Sequence, residues 1–289
     1  MIPISNTLFV SDLDGTLLGS NSKLSPTTVA MLNEALEGGV MFSIATARTP
    51  STVDAIMSSV NTRLPYIVMT GSAMWHPSTG RYSDVIHMEP DTAQKVMEQF
   101  KNHDLPTFIY TLSQEVIDIY HYRNLTNCEK VFISQRDDMR YKRFHIPEDG
   151  TSILPNPLEN VVLFYSMQPS KRTEATYRDI LEIEGTNPIY YHDNYGPDMG
   201  ILEVFSSAAS KANALRKLKE KTGAECVVVF GDNINDIPMM READVAVAVD
   251  NAVQDVKEIA DIIIGANTTD SVARFILDSL KAGEICHHS

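Results

Sequence analysis

The chain has 289 residues, with 24 Lys or Arg against 38 Asp or Glu, for a formal net charge of −14. Hydrophobic residues make up 43% and charged residues 21%, ordinary globular usage, which excludes wholesale disorder and a collagen-like repeat, while three scattered cysteines exclude a disulfide-built miniprotein. The acid excess argues against nonspecific nucleic-acid binding, which needs Lys and Arg to displace counterions, but leaves an anionic small molecule open if a cation offsets the local carboxylates. At about 150 residues per domain the length suits two domains. No basic segment followed by an apolar stretch opens the chain, and no apolar run approaches the roughly 20 residues of a membrane span. The expectation is a soluble, cytoplasmic protein without a membrane partner.

In chain order, residues 7–11 (TLFVS) form a compact β-branched and apolar run that stops at Asp12. Ser25-Pro26 offers an N-cap followed by a proline at the first helical position, and Val29, Leu32 and Leu36 share one helical face. Gly38-Gly39 ends that helix; residues 40–45 read as a strand, 49–60 as a helix and 66–69 as a third strand. From about 82 to 195 the pattern changes. There strand follows strand (106–110, then 115–120), helices at 92–101 and 172–184 are interleaved, and prolines and glycines cluster at 147–150, 155–157 and 196–200.

The opening rhythm returns near 201–205. Residues 210–222 are helical, with Leu215 and Leu218 inward and Gly223 as the stop. Strands at 226–230, 245–249 and 262–264 alternate with helices at 238–242, 253–260 and 271–280. Continuous apolar strands alternating with helices predict an α/β fold, a doubly wound parallel sheet covered on both faces. Residues 1–82 and 195–289 would build it, and 83–194 would form an inserted α+β domain.

Asp12-Leu13-Asp14-Gly15-Thr16 follows a buried strand directly, where open parallel sheets bind ligands. In extended chain Asp12 and Asp14 would face one side; the same residues also suit a plain Asp-Gly turn. Gly231-Asp232-Asn233-Ile234-Asn235-Asp236 sits at a second strand end. Asp232 would point at the same edge as Asp12, whereas Asp236, two residues before Pro238, also suits a helix N-cap. At an effective dielectric near 20, two unit charges 4 Å apart interact by roughly 4 kcal/mol, so converging carboxylates call for a divalent cation. All-oxygen ligands and a phosphate to contact favour Mg²⁺. Thr46 ends a strand and offers a hydroxyl and a backbone N–H; Lys211 opens a helix, a natural anion site. Taken singly, each of these two reads as a capping or surface residue.

Four segments carry a resemblance: FVSDLDGTLL (9–18), IATAR (44–48), LEVFSSAASKANAL (202–215) and VVFGDNINDIPMM (228–240). In order and spacing the chain resembles the haloacid dehalogenase superfamily, in its Cof-type sugar-phosphatase branch, which carries a large cap between the second and third motifs. The resemblance implies a Mg²⁺-dependent phosphomonoesterase working through an aspartyl-phosphate on small phosphorylated metabolites, by default sugar phosphates. Asp12 would be nucleophile and Asp14 general acid/base. Thr46 and Lys211 would bind the phosphoryl group, with Asn235 supporting that arrangement and Gly71 lying at the substrate. Asp12, the Asp14 carbonyl and Asp232 would hold the metal, with Asp236 acting directly or through water. The cap would close over the site and select the substrate.

The chain departs from its relatives at Thr46-Ala47-Arg48, Lys211-Ala212 and Thr70-Gly71-Ser72, where Thr/Ser-Gly-Arg, Lys-Gly and Asn-Gly-Ala are common. A phosphomutase would use the same aspartates; a receiver-like phospho-binding module would need neither Asp14 nor the insertion. Met239, Met240 and Trp75 read as packing groups, the run 140–143 (RYKR) as a solvated face, and His287-His288 as a frayed end.

Overall fold

The structure is a computed structural model and describes residues 4–113, 115–134, 140–147, 154–155, 157–192 and 198–285. Cys286, His287, His288 and parts of the three proline–glycine clusters lie outside the described residues. Among the described residues, no helix is long and apolar enough to cross a membrane.

The chain begins with β1 (Thr7–Ser11), buried along its whole length as a strand covered on both faces must be. One wide turn, Leu13–Leu17, leads on to α1 (Pro26–Glu37), whose N-cap Ser25 accepts from the Thr28 N–H at 2.9 Å. Then come β2 (Met41–Ile44), α2 (Pro50–Met57) and β3 (Tyr66–Val68). A turn at Met69–Gly71 starts a small antiparallel sheet with β4 (Ala73–His76) and β5 (Arg81–Ser83), in which fully buried Trp75 packs on Tyr66.

A second compact unit follows, Asp84–Ala209, set apart from the unit formed by Met1–Ser83 and Ser210–Ser289. It comprises α3 (Pro90–Asn102), β6 (Phe108–Leu112), β7 (Ile117–His121), α4 (Asn127–Ser134), β8 (Lys142–His145), β9 (Val161–Pro169), α5 (Ser170–Leu181), β10 (Thr186–His192) and β11 (Met199–Ser206). Among the described residues its sheet has the strand order β10-β11-β9-β6-β7-β8. Met97 and Phe100 of α3 and Ile180 of α5 share a core with Phe164, Leu202 and Val204 of the sheet. Here the structure corrects the sequence reading: residues 201–205 do not reopen the parallel sheet. β11 pairs antiparallel with β9 and β10, Leu202 opposite Ser166 and Glu203 opposite Ile189, so the boundary falls after Ala209 rather than at 195. An apolar run states that a strand is covered, not which strands cover it. The basic run is corrected in part as well, because Lys142 is buried with its ammonium 5.7 Å from the Phe144 ring centre.

The first unit resumes with α6 (Lys211–Thr222), β12 (Cys226–Gly231), α7 (Ile237–Met240), β13 (Val245–Val249), α8 (Gln254–Ile259), β14 (Ile262–Ile264) and α9 (Ser271–Ala282). Its parallel sheet has the order β14-β13-β12-β1-β2. From β1 the chain winds outward to β2, and from β12 it winds the opposite way to β13 and β14. Right-handed crossovers then send the helices of the two halves to opposite faces. The crossover helices α7 and α8 pack in series with α6, while α9, which follows the last strand and has no crossover to make, packs on α1. The order reverses between β1 and β12, and ligands of open α/β sheets bind at such a switch point.

Candidate active site

Asp12 extends β1 by one residue, its N–H donating to the Phe230 carbonyl of β12 at 3.0 Å, so its carboxylate starts at the switch point. Lys211, first residue of α6, has its N-terminus fixed by Ser210, whose hydroxyl accepts from the Asn213 N–H. The Lys211 ammonium donates to Asp12 Oδ1 at 2.5 Å and to Asp236 Oδ1 at 2.7 Å, and all three side chains are buried. The other Asp236 oxygen accepts from the backbone N–H groups of Asp232 and Asn233, at 3.1 and 3.2 Å. Asp236 thus closes a capping box with Asn233 while holding Lys211. The N-cap reading of Asp236 is corrected: Asn233 is the N-cap of this turn, Asp236 is its third residue, and the Asp236 side chain makes no cap bond to α7.

Asp232 accepts from the Thr16 hydroxyl at 2.7 Å. Gly15 lies against it with φ +82°, and a Cβ there would come within 2.3 Å of Asp232 Oδ2, so only glycine lets the first loop approach this carboxylate. Oxygens of Asp12, Asp232 and Asp236 all lie within 4.8 Å of one another.

Asp12 and Asp236 share one ammonium with Asp232 beside them, and the surroundings show in the titration of Asp12 and Asp232. Burial pushes the Asp12 carboxyl up to about 8; Lys211 opposes this, and Asp236 and Asp232 add to it. Burial likewise raises Asp232 to about 6 against the Thr16 hydrogen bond, with help from Asp236. For Lys211, burial acts to lower the pKa, but Asp12 and Asp236 outweigh it and hold the ammonium above its ordinary range. Such a cluster fits a hard divalent cation, whose charge would favour the ionised carboxylates that burial and their mutual repulsion now disfavour.

Asp14 is placed otherwise than the sequence suggests. The chain does not stay extended past Asp12: Leu13 is helical and Gly15 has positive φ, so the chain bends on both sides of Asp14, which itself keeps extended angles, φ −78° and ψ 118°. The Asp14 carboxylate takes no part in the cluster and is clamped by Arg48, whose Nε and Nη2 donate to its two oxygens at 2.7 and 2.6 Å. This bidentate pair leaves Asp14 half exposed.

The profile of the haloacid dehalogenase-like hydrolases matches residues 9–276. The chain belongs to that family. It is a phosphatase of the haloacid dehalogenase type. Among similar proteins, a 5-amino-6-(5-phospho-D-ribitylamino)uracil phosphatase of Bacillus subtilis is 25% identical over 93% of this chain and 96% of its own. A pyridoxal phosphate phosphatase of Escherichia coli is 26% identical over 93% of this chain and 97% of its own. The fold is shared with a Thermotoga maritima protein at a TM-score of 0.74 and 23% identity, covering 96% and 97% of the two chains.

Within this haloacid dehalogenase-like hydrolase, the remaining expected residues divide. Thr46 stands one residue beyond Ala45, whose N–H donates to the Ser11 carbonyl, and so lies at the same sheet edge as Asp12. Its backbone N–H, offered to an anion by the sequence reading, is instead donated to the Ile67 carbonyl at 2.9 Å. Its hydroxyl accepts from the Arg48 N–H and keeps its own proton to donate. Asn235 is exposed, and the bonds that hold Lys211 run to Asp12 and Asp236 rather than to it.

Gly71 is a packing position: at φ +90°, a Cβ would stand 2.2 Å from the Ser210 carbonyl oxygen and 2.9 Å from the Lys211 nitrogen. Its absent side chain lets the turn after β3 abut the start of α6. Arg48 and Thr16 lie inside two of the four motif segments, which by themselves give them no role. Their partners are fixed only when β1, β2 and β12 come together.

Proposed function

We propose that this phosphatase hydrolyses small phosphomonoesters through a covalent aspartyl-phosphate on Asp12, with Mg²⁺ as cofactor. The observation that carries the reading is the Lys211 ammonium bridging Asp12 and Asp236 at the switch point, with Asp232 beside them. Asp12 and Asp232, with the Asp14 carbonyl, would hold Mg²⁺. Both Asp236 oxygens already accept N–H bonds, which supports a contribution through water and through Lys211. Bound there, the ion supplies positive charge that keeps Asp12 ionised and offsets the phosphate dianion.

An Asp12 oxygen attacks phosphorus in line as the bond from phosphorus to the ester oxygen breaks. Asp14 delivers a proton to the leaving alkoxide, then takes one from the water that attacks the aspartyl-phosphate and releases inorganic phosphate. Lys211 neutralises charge on the transferring group, the main source of catalysis in phosphoryl transfer. The Thr46 hydroxyl donates to a phosphoryl oxygen. Arg48 sets the Asp14 carboxylate in a single orientation until a substrate arrives.

We assign substrate selection to the inserted unit Asp84–Ala209. The two curated relatives act, by their names, on esters whose phosphate hangs from a carbon chain on a nitrogen ring. Sugar phosphates head the panel to be tested, and phosphorylated heterocycles of that kind come second. Phosphate release from an aryl phosphate, in Mg²⁺ and after EDTA, tests the chemistry. Asp12→Asn is expected to lose at least about a thousandfold in kcat, roughly 4 kcal/mol. A folded Asp12→Asn enzyme with wild-type turnover, or full activity in EDTA, would overturn the reading.

A further inference from the structure

Two asparagines that the mechanism does not use connect the two loops bearing its carboxylates. Asn251 lies just past β13, and Asn267 lies just past β14. Asn251 Nδ2 donates to the Gly15 carbonyl at 2.7 Å, and its Oδ1 accepts from the Asn267 N–H at 2.9 Å. Asn267 Nδ2 in turn donates to the Leu18 carbonyl at 2.7 Å. Two residues past Asn251, the Val253 N–H donates to the carbonyl of Asp232 at 2.9 Å. The segment after β13 therefore grips the Asp12–Leu18 loop with a side chain and the Asp232 loop with its backbone.

We propose that Asn251 and Asn267 are positioning residues, an amide strut that holds the Asp12–Leu18 loop in register with Asp232 and so sets the spacing of the metal-binding groups. The inference rests on the metal-dependent reading above. The turn closes on a backbone bond from the Leu18 N–H to the Leu13 carbonyl at 2.9 Å, but Asp14 and Gly15 inside it leave helical geometry. Gly15, free to rotate, must keep its carbonyl on one side while the Thr16 hydroxyl beside it reaches Asp232. If the Gly15–Thr16 peptide turns, the Thr16 bond to Asp232 is lost and the neighbouring Asp14 carbonyl is re-aimed.

The position requires a planar group with a donor on one side and an acceptor on the other, which only an amide supplies at this length. Aspartate keeps the acceptor for Asn267 but sets a carboxylate oxygen against the Gly15 carbonyl. Because Asn251 is exposed, the strut contributes little to global stability, so its effect separates from unfolding.

The test compares wild type, Asn251→Asp, Asn251→Ala, Asn267→Ala and Asp232→Ala. Three readouts are hydrogen exchange of the amides of residues 13–18, Mg²⁺ binding by calorimetry, and the Mg²⁺ concentration for half activity. For the Asn251 and Asn267 variants, loop amides should exchange about fivefold faster or more, the factor one net hydrogen bond represents, while those of α6 stay unchanged. Mg²⁺ affinity should fall by a similar factor, with KM at saturating Mg²⁺ nearly constant and the melting temperature within about 2 °C. Asn251→Asp should be worse than Asn251→Ala, since it adds repulsion where alanine admits water; a role in packing alone would order them the other way.

Should Asn251→Asp fail to fold, Asn267→Ala breaks the same strut at its far end. Normal loop exchange and Mg²⁺ affinity in these variants, with Asp232→Ala impaired, would overturn the strut alone. A wild type that binds no Mg²⁺ would overturn the metal reading, and loop exchange would then judge the strut by itself.

Discussion

Replacing Gly71 by alanine puts a methyl group where the backbone of α6 already stands. The new Cβ would lie 2.2 Å from the Ser210 carbonyl oxygen, 2.4 Å from its carbon and 2.9 Å from the Lys211 nitrogen. Ordinary contact begins near 3.4 Å, so the turn and the helix start must separate by about 1.2 Å. Overpacking of that kind costs about 1–3 kcal/mol, and holding alanine at φ +90° adds about 1–2 kcal/mol. The expected loss of stability is about 2–5 kcal/mol. Because Lys211 is the residue displaced, its ammonium leaves its place between Asp12 and Asp236. A shift of about 1 Å at a catalytic group corresponds to roughly a hundredfold in kcat.

Gly39 provides the control, since it has φ +91° with nothing within 4 Å of its added Cβ. Gly39→Ala should show the backbone strain alone, about 1–2 kcal/mol, with kcat unchanged. Urea unfolding of both variants, paired with phosphate release at saturating Mg²⁺, measures the difference. If Gly71→Ala matched Gly39→Ala in stability and retained wild-type kcat, the close approach would not be what places Lys211.

Asp14→Asn should lose about a hundredfold or more on alkyl phosphates and markedly less on aryl phosphates, whose leaving groups need no proton; equal losses would refute the general-acid role. With metal removed, burial holds a proton on Asp12 up to about pH 8 and on Asp232 up to about 6, whereas the unfolded chain releases both near 4. The stability these protons contribute is present below pH 4 and is lost as pH rises through 6 and 8, so wild type in EDTA should weaken against Asp12→Asn across that window. Added Mg²⁺ should raise the melting temperature more at pH 8 than at pH 5, and an equal effect at both would contradict the proposed ligands. In the inserted unit, buried Glu129 accepts from Gln168 at 2.9 Å and from the Thr126 N–H at 2.8 Å, and meets buried His121 at 3.2 Å. Glu129→Ala should destabilise this unit by about 3–5 kcal/mol by leaving those groups unpaired, and a loss under about 1 kcal/mol in denaturant unfolding would show that the network carries no weight.

The amino-acid order alone determined that TLFVS and CVVVF are buried parallel strands, since an apolar run with no polar face fits only a sheet covered on both sides. It also placed Asp12, Thr46, Lys211 and Asp232 at strand or helix ends, because the local switch from apolar run to turn residues marks those ends. The family could be read from the four motifs for the same reason: each is a continuous segment. Tertiary structure decided what depends on partners far along the chain. It gave residues 199–206 to the inserted sheet, because strand pairing is chosen by the neighbouring strands and an apolar run is compatible with either. It paired Asp14 with Arg48 and left it out of the cluster, because the chain bends at Leu13 and Gly15, where an extended reading keeps it straight. It revealed Gly71 as a contact with Ser210 and tied Asn251 to Gly15, 236 positions away. Neither pairing has a local signature, because close approach and a single side-chain amide leave no periodic trace in the sequence.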